Sequence, residues 1–224
     1  MARRGGARYD IVMTAEAGSG TVRIRRARAG DAAQIARLDI ETWRDAYAGI
    51  LPSPYLLHLD ARRRQAGWSA EIGRLGMVVF VAVDEGDKDG GGNDDGGVIV
   101  GFGSAGWLRG ELLGDPGGGG VPMAGESRDG EVFTLYVAPE RHDEGIGRRL
   151  LFALLGWLRD AGARRAVVWV LRDNPARFFY QRLGGKPCGE RFFPVGGAAV
   201  PAVAYAWRDL GATLREAGGG RTGE

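Results

Sequence analysis

One stretch sets the terms for the rest of the chain: Glu131-Val-Phe-Thr-Leu-Tyr-Val-Ala-Pro-Glu-Arg-His-Asp-Glu-Gly-Ile-Gly-Arg-Arg-Leu-Leu151. Val132 to Val137 are β-branched, aromatic or leucine throughout, a composition that fits a strand covered on both faces. Pro139 ends it. Ile146, Leu150, Leu151, Leu154, Leu155 and Leu158 then recur at helical spacing, so a helix opening near Gly145 has one apolar face to pack on a sheet. Its first turn faces the loop. A helix N-terminus carries about four N–H groups without partners and roughly half a positive charge, and glycines let a ligand approach that backbone. The stretch reads as an anion cradle with phosphate as its natural guest.

At 224 residues, with 44% hydrophobic and 26% charged residues, the chain suits one globular domain. Its 40 glycines cluster in loops and ends, so the packed part is shorter than the chain. The 30 basic residues against 28 acidic ones give a formal charge of +2, too balanced for bulk attraction to nucleic acid or membrane. Arg62-Arg63-Arg64 fits a solvated helix face better than a nucleic-acid patch. The single cysteine, Cys188, reads as a small buried apolar residue and excludes an internal disulfide. His58 and His142 are too far apart in sequence to suggest zinc, so no metal is expected. No apolar core of signal-peptide length opens the chain and no run of about 18 apolar residues occurs, which points to a cytoplasmic protein with no membrane partner.

Residues 1–20 are expected to be a disordered leader and 211–224 a disordered Gly/Arg tail, leaving 21–210 as the domain. Thr21 to Arg28 begins as a strand, and Asp31 suits the N-cap of a helix striped by Ala33, Ile35, Ala36, Leu38, Ile40, Trp43 and Tyr47. Pro52 and Pro54 introduce a second helical piece from about Tyr55 to Leu75, interrupted by Gly67 and Gly73. Met77–Val83 and Val98–Ala105 read as an antiparallel hairpin around a poorly ordered loop at about 84–97, and a second such loop spans about 109–130. Beyond the cradle helix come a short buried strand (Arg165–Leu171) and a helix capped by Asn174 with Pro175 at its first position. Strands near 188–194 and 199–207 complete the domain. This order predicts an α/β fold: a single-domain mixed sheet, mostly antiparallel with one central parallel pair, and helices on both faces.

The region from about Thr21 to Leu210 resembles the GNAT superfamily of acetyl-CoA-dependent N-acetyltransferases. The family's cofactor loop follows its fourth strand with the pattern Gln/Arg-x-x-Gly-x-Gly/Ala, and His142-Asp143-Glu144-Gly145-Ile146-Gly147 stands in that place. Asn174-Pro-Ala-Arg-Phe-Phe-Tyr-Gln-Arg-Leu-Gly184 is similar to the Asn…Phe-Tyr…Leu-Gly motif of a later helix, and Ile24-Arg-Arg-Ala…Asp31…Ile35…Trp43-Arg-Asp-Ala-Tyr47 resembles a common bacterial branch. Two departures stand out: His142 replaces Gln or Arg, and Asp143-Glu144 place acid beside a loop meant for pyrophosphate. The resemblance implies a GNAT-like sheet, acetyl-CoA as cosubstrate, and transfer of acetyl to a primary amine of an unidentified acceptor by direct attack in a ternary complex. The alternative is a catalytically silent CoA-binding or regulatory module. Monomer and homodimer both remain open.

A lysine-like amine, with a pKa near roughly 10.4, must lose a proton before it attacks a thioester, and the thiolate must leave. By the resemblance, Gly145, Ile146, Gly147 and Arg148 would bind pyrophosphate, with His142, Asp143 and Glu144 in the same loop; an ordinary strand-to-helix turn would use the same glycines. Leu135, Tyr136 and Val137 would offer backbone groups to the pantetheine arm. Tyr180 stands where the family has its general acid, though an aromatic packed with Phe178 and Phe179 explains it equally in structural terms. Asn174 is accounted for as a helix cap and, by analogy, as a contact that orients cofactor or tyrosine. Glu131 lies where some relatives place a carboxylate that activates the amine through water, and a strand-end glutamate would look the same. Trp43, Tyr47 and Trp107 either line the acceptor pocket or belong to the core.

Overall fold

The computed structural model describes residues 22–86, 97–109 and 129–219. The expected leader, most of both long loops and the end of the expected tail fall outside these residues. Seven strands, β1 (Val22–Arg26), β2 (Met77–Asp84), β3 (Val98–Trp107), β4 (Gly130–Val137), β5 (Ala166–Leu171), β6 (Lys186–Val195) and β7 (Ala198–Trp207), form one sheet in the order β1-β2-β3-β4-β5-β7-β6. All neighbours are antiparallel except β4 and β5. A parallel pair requires a crossover, and α4 (Ile146–Asp160) supplies it.

The α4 helix lies where its leucine stripe dictates. Leu150, Leu151, Leu154, Leu155 and Leu158 are fully buried, and each such burial stabilises by about 1.5–3 kcal/mol. They can approach β3 closely because Gly101 and Gly103 face them. A Cβ on Gly103 would come within 2.8 Å of Leu154 Cδ1 and 3.0 Å of Thr134 O. The helices α5 (Ala176–Arg182) and α6 (Leu210–Gly219) share this side and its core.

On the other face lie α1 (Ala32–Ala46), α2 (Ser53–Leu57) and α3 (Ala61–Glu71). Asp39 of α1 is buried, and one carboxylate oxygen accepts from Trp68 Nε1 and from Arg64 Nη1, each at 3.0 Å. That shared acceptor ties α1 to α3 and holds the tryptophan edge-on against Phe102 of β3, ring centroids 5.1 Å apart.

Three local expectations change. Asp31 stands at the N-cap position of α1 but its side chain makes no cap bond to that helix; it ends a short 3-10 turn, and its carboxylate accepts from Arg28 N–H at 2.6 Å and pairs with Arg25 at 2.6 Å. A guanidinium across the turn holds a carboxylate more strongly than the helix amides would. The helical piece after Pro52 is two helices, and Asp60 caps the second by accepting from Arg63 N–H at 2.6 Å. Residues 210–219 form α6 where a tail was expected, because Leu210 is fully buried in the core beside α4 and Asp209 accepts from Ala212 N–H at 2.9 Å.

Replacing Gly103 by valine is expected to lower the unfolding free energy by about 1–3 kcal/mol, read by urea denaturation, because neither Leu154 nor the Thr134 carbonyl has room to retreat. A Leu75→Ser change at a residue 96% exposed should leave the midpoint almost where it was.

Candidate active site

The pairing of β4 with β5 is short. Gly130, Glu131 and Val132 face Ala166, Val167 and Val168, and beyond Val132 the two strands part. The register of β4 against β3 shifts at the same place, so Phe133 is bulged out of the ladder. A cleft of about 1050 Å³ opens in the gap. Phe133 to Val137 form one wall, Val168, Trp169 and the segment from Asp173 to Ala176 another, and Thr42, Asp45 and Ala46 of α1 close a third side. The backbone of β4 from Phe133 onward has no β5 partner and so presents N–H and C=O groups to the cleft.

The anion cradle stands at one end. Gly145 has φ 74°, a left-handed conformation that glycine adopts without strain, and α4 begins at the next residue. Arg149 N–H closes the first bond of the helix onto Gly145 O at 3.1 Å, so the amides of Ile146, Gly147 and Arg148 precede any helical acceptor. A Cβ on Gly147 would lie in ordinary contact with the Phe179 ring, at 3.5 Å, beside the cleft. A pyrophosphate-bearing ligand fits this arrangement: three amides, a helix N-terminus, and the Arg141, Arg148 and Arg182 side chains along the same cleft.

The two acidic residues of the loop are disposed of separately. Glu144 does not line the cleft; its two oxygens accept from Arg141 Nε at 2.7 Å and Nη2 at 2.8 Å, and the same guanidinium donates to Asp84 at 2.5 Å. Arg141 holds the Glu144 carboxyl below the usual glutamate range. Asp143 is exposed, with φ 65°, and lines the cleft mouth. His142 Nε2 lies 3.1 Å from Val137 O, and since a carbonyl only accepts, that nitrogen carries the proton.

Leu135, Tyr136 and Val137 line the cleft, as do His142, Gly145, Ile146, Gly147, Arg148 and Asn174. Tyr180 is buried just behind it, edge-on to Phe179 at 5.2 Å and to Trp207 at 6.3 Å. Burial and then the neighbouring Tyr47 phenol push its pKa up, so it is protonated at neutral pH. Asn174 is buried one residue ahead of Pro175, which takes the N-cap position of α5 expected for Asn174; its Oδ1 accepts from Ala176 N–H at 2.8 Å, and its side chain also hydrogen-bonds Tyr47. Glu131 is buried rather than exposed at the strand end, accepts from Arg109 N–H at 3.0 Å, and is not part of the cleft wall. Burial pushes its carboxyl up.

None of Trp43, Tyr47 and Trp107 lines the cleft. Tyr47 instead places its hydroxyl 2.8 Å from that of Tyr136, tying α1 to β4 behind the wall. Trp43 packs on Tyr47 at 4.9 Å and under Arg64 at 4.5 Å. Trp107 sits opposite Gly130 at the far end of β3, against the α4 core. Thr42, Asp45 and Ala46 of the same helix reach the cleft in their stead. Arg141 escaped notice in the sequence although its three-residue spacing from Glu144 is a signal; the hydroxyl pair of Tyr47 and Tyr136, 89 residues apart, leaves none.

The acetyltransferase (GNAT) family model matches residues 40–185. The uncharacterized N-acetyltransferase YuaI of Bacillus subtilis (strain 168) is 31% identical over 191 residues, 85% of this chain and 95% of that protein. The mycothiol acetyltransferase of Arthrobacter sp. (strain FB24) is 39% identical over 70 residues, 31% of this chain and 20% of its own length. Among solved structures, NAA60 of Arabidopsis thaliana in complex with a bisubstrate analogue superposes with a TM-score of 0.59 at 16% identity, covering 84% of this chain and 98% of that one. The PaiA N-acetyltransferase of Thermoplasma acidophilum in complex with coenzyme A gives 0.55 at 17% identity, covering 83% and 99%. The chain belongs to the GNAT acetyltransferase family, the class of N-acetyltransferases whose motifs its sequence resembles.

Arg141→Ala leaves Glu144 and Asp84 without their shared cation beside the cradle. It is expected to weaken acetyl-CoA binding by about three- to tenfold, measured by calorimetry, and Arg141→Ala/Glu144→Ala should recover part of the loss.

Proposed function

We propose that the protein transfers an acetyl group from acetyl-CoA to a primary amine, by direct attack of the amine within a ternary complex. The observation that carries this reading is the parting of β4 and β5 after Val132, which sets an open strand edge in line with the helix start at Gly145. The relatives support it: the PaiA structure holds coenzyme A, and a structure of yncA from Salmonella typhimurium holds acetyl-CoA. Acetyl-CoA, when bound, supplies an acyl group activated as a thioester. The amides of Ile146, Gly147 and Arg148 take its pyrophosphate, and the free backbone groups of Leu135, Tyr136 and Val137 hold its extended arm.

Glu131 is the proton acceptor. It lies behind the cleft wall, so it acts through water, and the burial that raises its pKa makes it a better base near neutrality. A first ammonium proton passes through water to Glu131 before attack; as the nitrogen–carbon bond forms and the carbon–sulfur bond breaks, the sulfur takes a proton from Tyr180, and the second nitrogen proton, lost as the amide forms, returns through water to the Tyr180 oxygen. Asn174, fixed by its bond to Ala176 N–H, orients the Tyr47 and Tyr136 hydroxyls between them. The ion pair of Glu144 with Arg141 turns one of the loop's two carboxylates away from the cleft, which favours the enzyme over a catalytically silent CoA-binding module. No helix among the described residues is long and apolar enough to cross a membrane, and a cytoplasmic enzyme meeting acetyl-CoA and a diffusible acceptor fits the site.

Calorimetry with acetyl-CoA tests the reading directly: no heat at millimolar ligand overturns it, and Gly147→Glu should abolish the binding seen with wild type. Tyr180→Phe is expected to lower kcat by about 100-fold while the acetyl-CoA Kd stays within about twofold; an unchanged kcat takes Tyr180 out of the mechanism. Since Glu131 accepts only when ionised, kcat/KM should fall as the pH drops through a pKa above the ordinary glutamate value of about 4.3. Glu131→Gln should show a low rate and no such acid limb.

A further inference from the structure

One guanidinium on the α1 side of the sheet is stacked on rings, and no acid among the described residues is hydrogen-bonded to it. Arg191 of β6 lies with its Cζ 4.1 Å from the ring of Trp169 and 4.0 Å from that of Phe193. The two rings stand edge to face with centroids 5.8 Å apart, so the plane of the guanidinium is fixed from two directions. Among the described residues no protein acceptor takes an N–H of Arg191, and its Nε is both buried and without a partner. The indole Nε1 of Trp169 is buried and unpartnered as well. Buried donors are normally satisfied, and two orphans in contact call for a ligand.

The acids nearby are engaged elsewhere. Glu131, which attracts Arg191 through space, accepts from Arg109 N–H at 3.0 Å. Glu190, next along β6, pairs with Arg172. The register puts the group on one side of the sheet: Val167 faces Glu131, Trp169 faces Ala204, and Arg191 faces Ala202, which also faces Leu171. Trp169 is at the same time a wall of the cleft, so the guanidinium stacked on it adjoins the cleft without being part of its lining.

We infer that Arg191, laid over Trp169 and Phe193, recognises the acceptor, and that the amine acetylated here carries a carboxylate. This rests on the acetyltransferase reading above. The acceptor's ammonium group would pass the carboxylates of Asp45 and Asp173, which line the cleft, and its own carboxylate would take the Nη groups of Arg191 as a two-pronged pair.

The test compares acceptors that differ only in that group: lysine with cadaverine, tyrosine with tyramine, phenylalanine with phenethylamine. Release of free CoA thiol is followed with wild type, Arg191→Gln, Arg191→Lys and Phe192→Ala. In wild type kcat/KM for the carboxylate member should exceed that of its partner by about tenfold or more, through KM rather than kcat. In Arg191→Gln the ratio should fall to about one, and in Arg191→Lys, which keeps charge but loses the stack, it should recover only in part. Phe192, 69% exposed on the opposite face of β6, serves as control, and its alanine variant should keep the wild-type ratio. Preference for the decarboxylated amines in wild type, or a ratio that survives Arg191→Gln, overturns the inference. Binding of acetyl-CoA is measured separately by calorimetry, so its failure strikes the acetyltransferase reading alone. If no pair is turned over, thermal shifts with the same amino acids decide: a shift in wild type that Arg191→Gln loses supports the subsite, and no shift in wild type overturns it.

Discussion

The hydrogen bonding between β4 and β5 stops after Val132, and the rest of the molecule depends on that stop. A parallel pair needs a crossover helix, and α4 leaves β4 through the loop that ends at Gly145. The same separation that exposes the β4 edge therefore also aims the N-terminus of α4 at it. Had the ladder continued, the amides of Ile146 to Arg148 would face a closed sheet. The bulge at Phe133 and the glycines of β3 under α4 are the local devices that let the strands part while the leucine stripe stays packed.

Charge is managed with equal care around the cleft. Arg141 binds two carboxylates, from β2 and from its own loop, so that neither stands opposite the cradle. Asp39 is the sole carboxylate to serve both Trp68 and Arg64, which makes the joint between α1 and α3 polar at its centre and apolar around it. Buried acids with donors on both sides are costly to disturb, since removing one partner strands the other. Arg191 is the contrary case, a fixed cation for which the described residues provide rings and no acceptor.

Much of this was legible along the chain. The leucine spacing of α4, the Gly-x-Gly turn and the compact apolar strands are local patterns, and they gave the element order, the single parallel pair and the cradle. The backbone segments from Leu135 to Val137 and from Gly145 to Arg148 line the cleft because a backbone follows its element. Residues chosen for their side chains fared unevenly. An aromatic stripe on α1 says which face is buried; it does not say whether that face meets a cleft, and Trp43 and Tyr47 meet other aromatics and Arg64 instead. Trp107 pairs with Gly130, on the side of Val132 where β4 and β5 are still joined, and packs against the α4 core instead of the gap.

The sequence by itself determined the seven strands, their order along the chain and the Gly-x-Gly turn at the head of α4, because each follows from periodicity and turn chemistry within a few residues. Only the tertiary structure decided which polar groups would share a site. The Asp84–Arg141–Glu144 clamp, the Tyr47–Tyr136 hydroxyl pair and the Arg191–Trp169 stack join positions from different elements. Their meeting is set by strand register and helix packing, and a hydrogen bond acts over about 3 Å, far less than the uncertainty with which sequence patterns place one element against another.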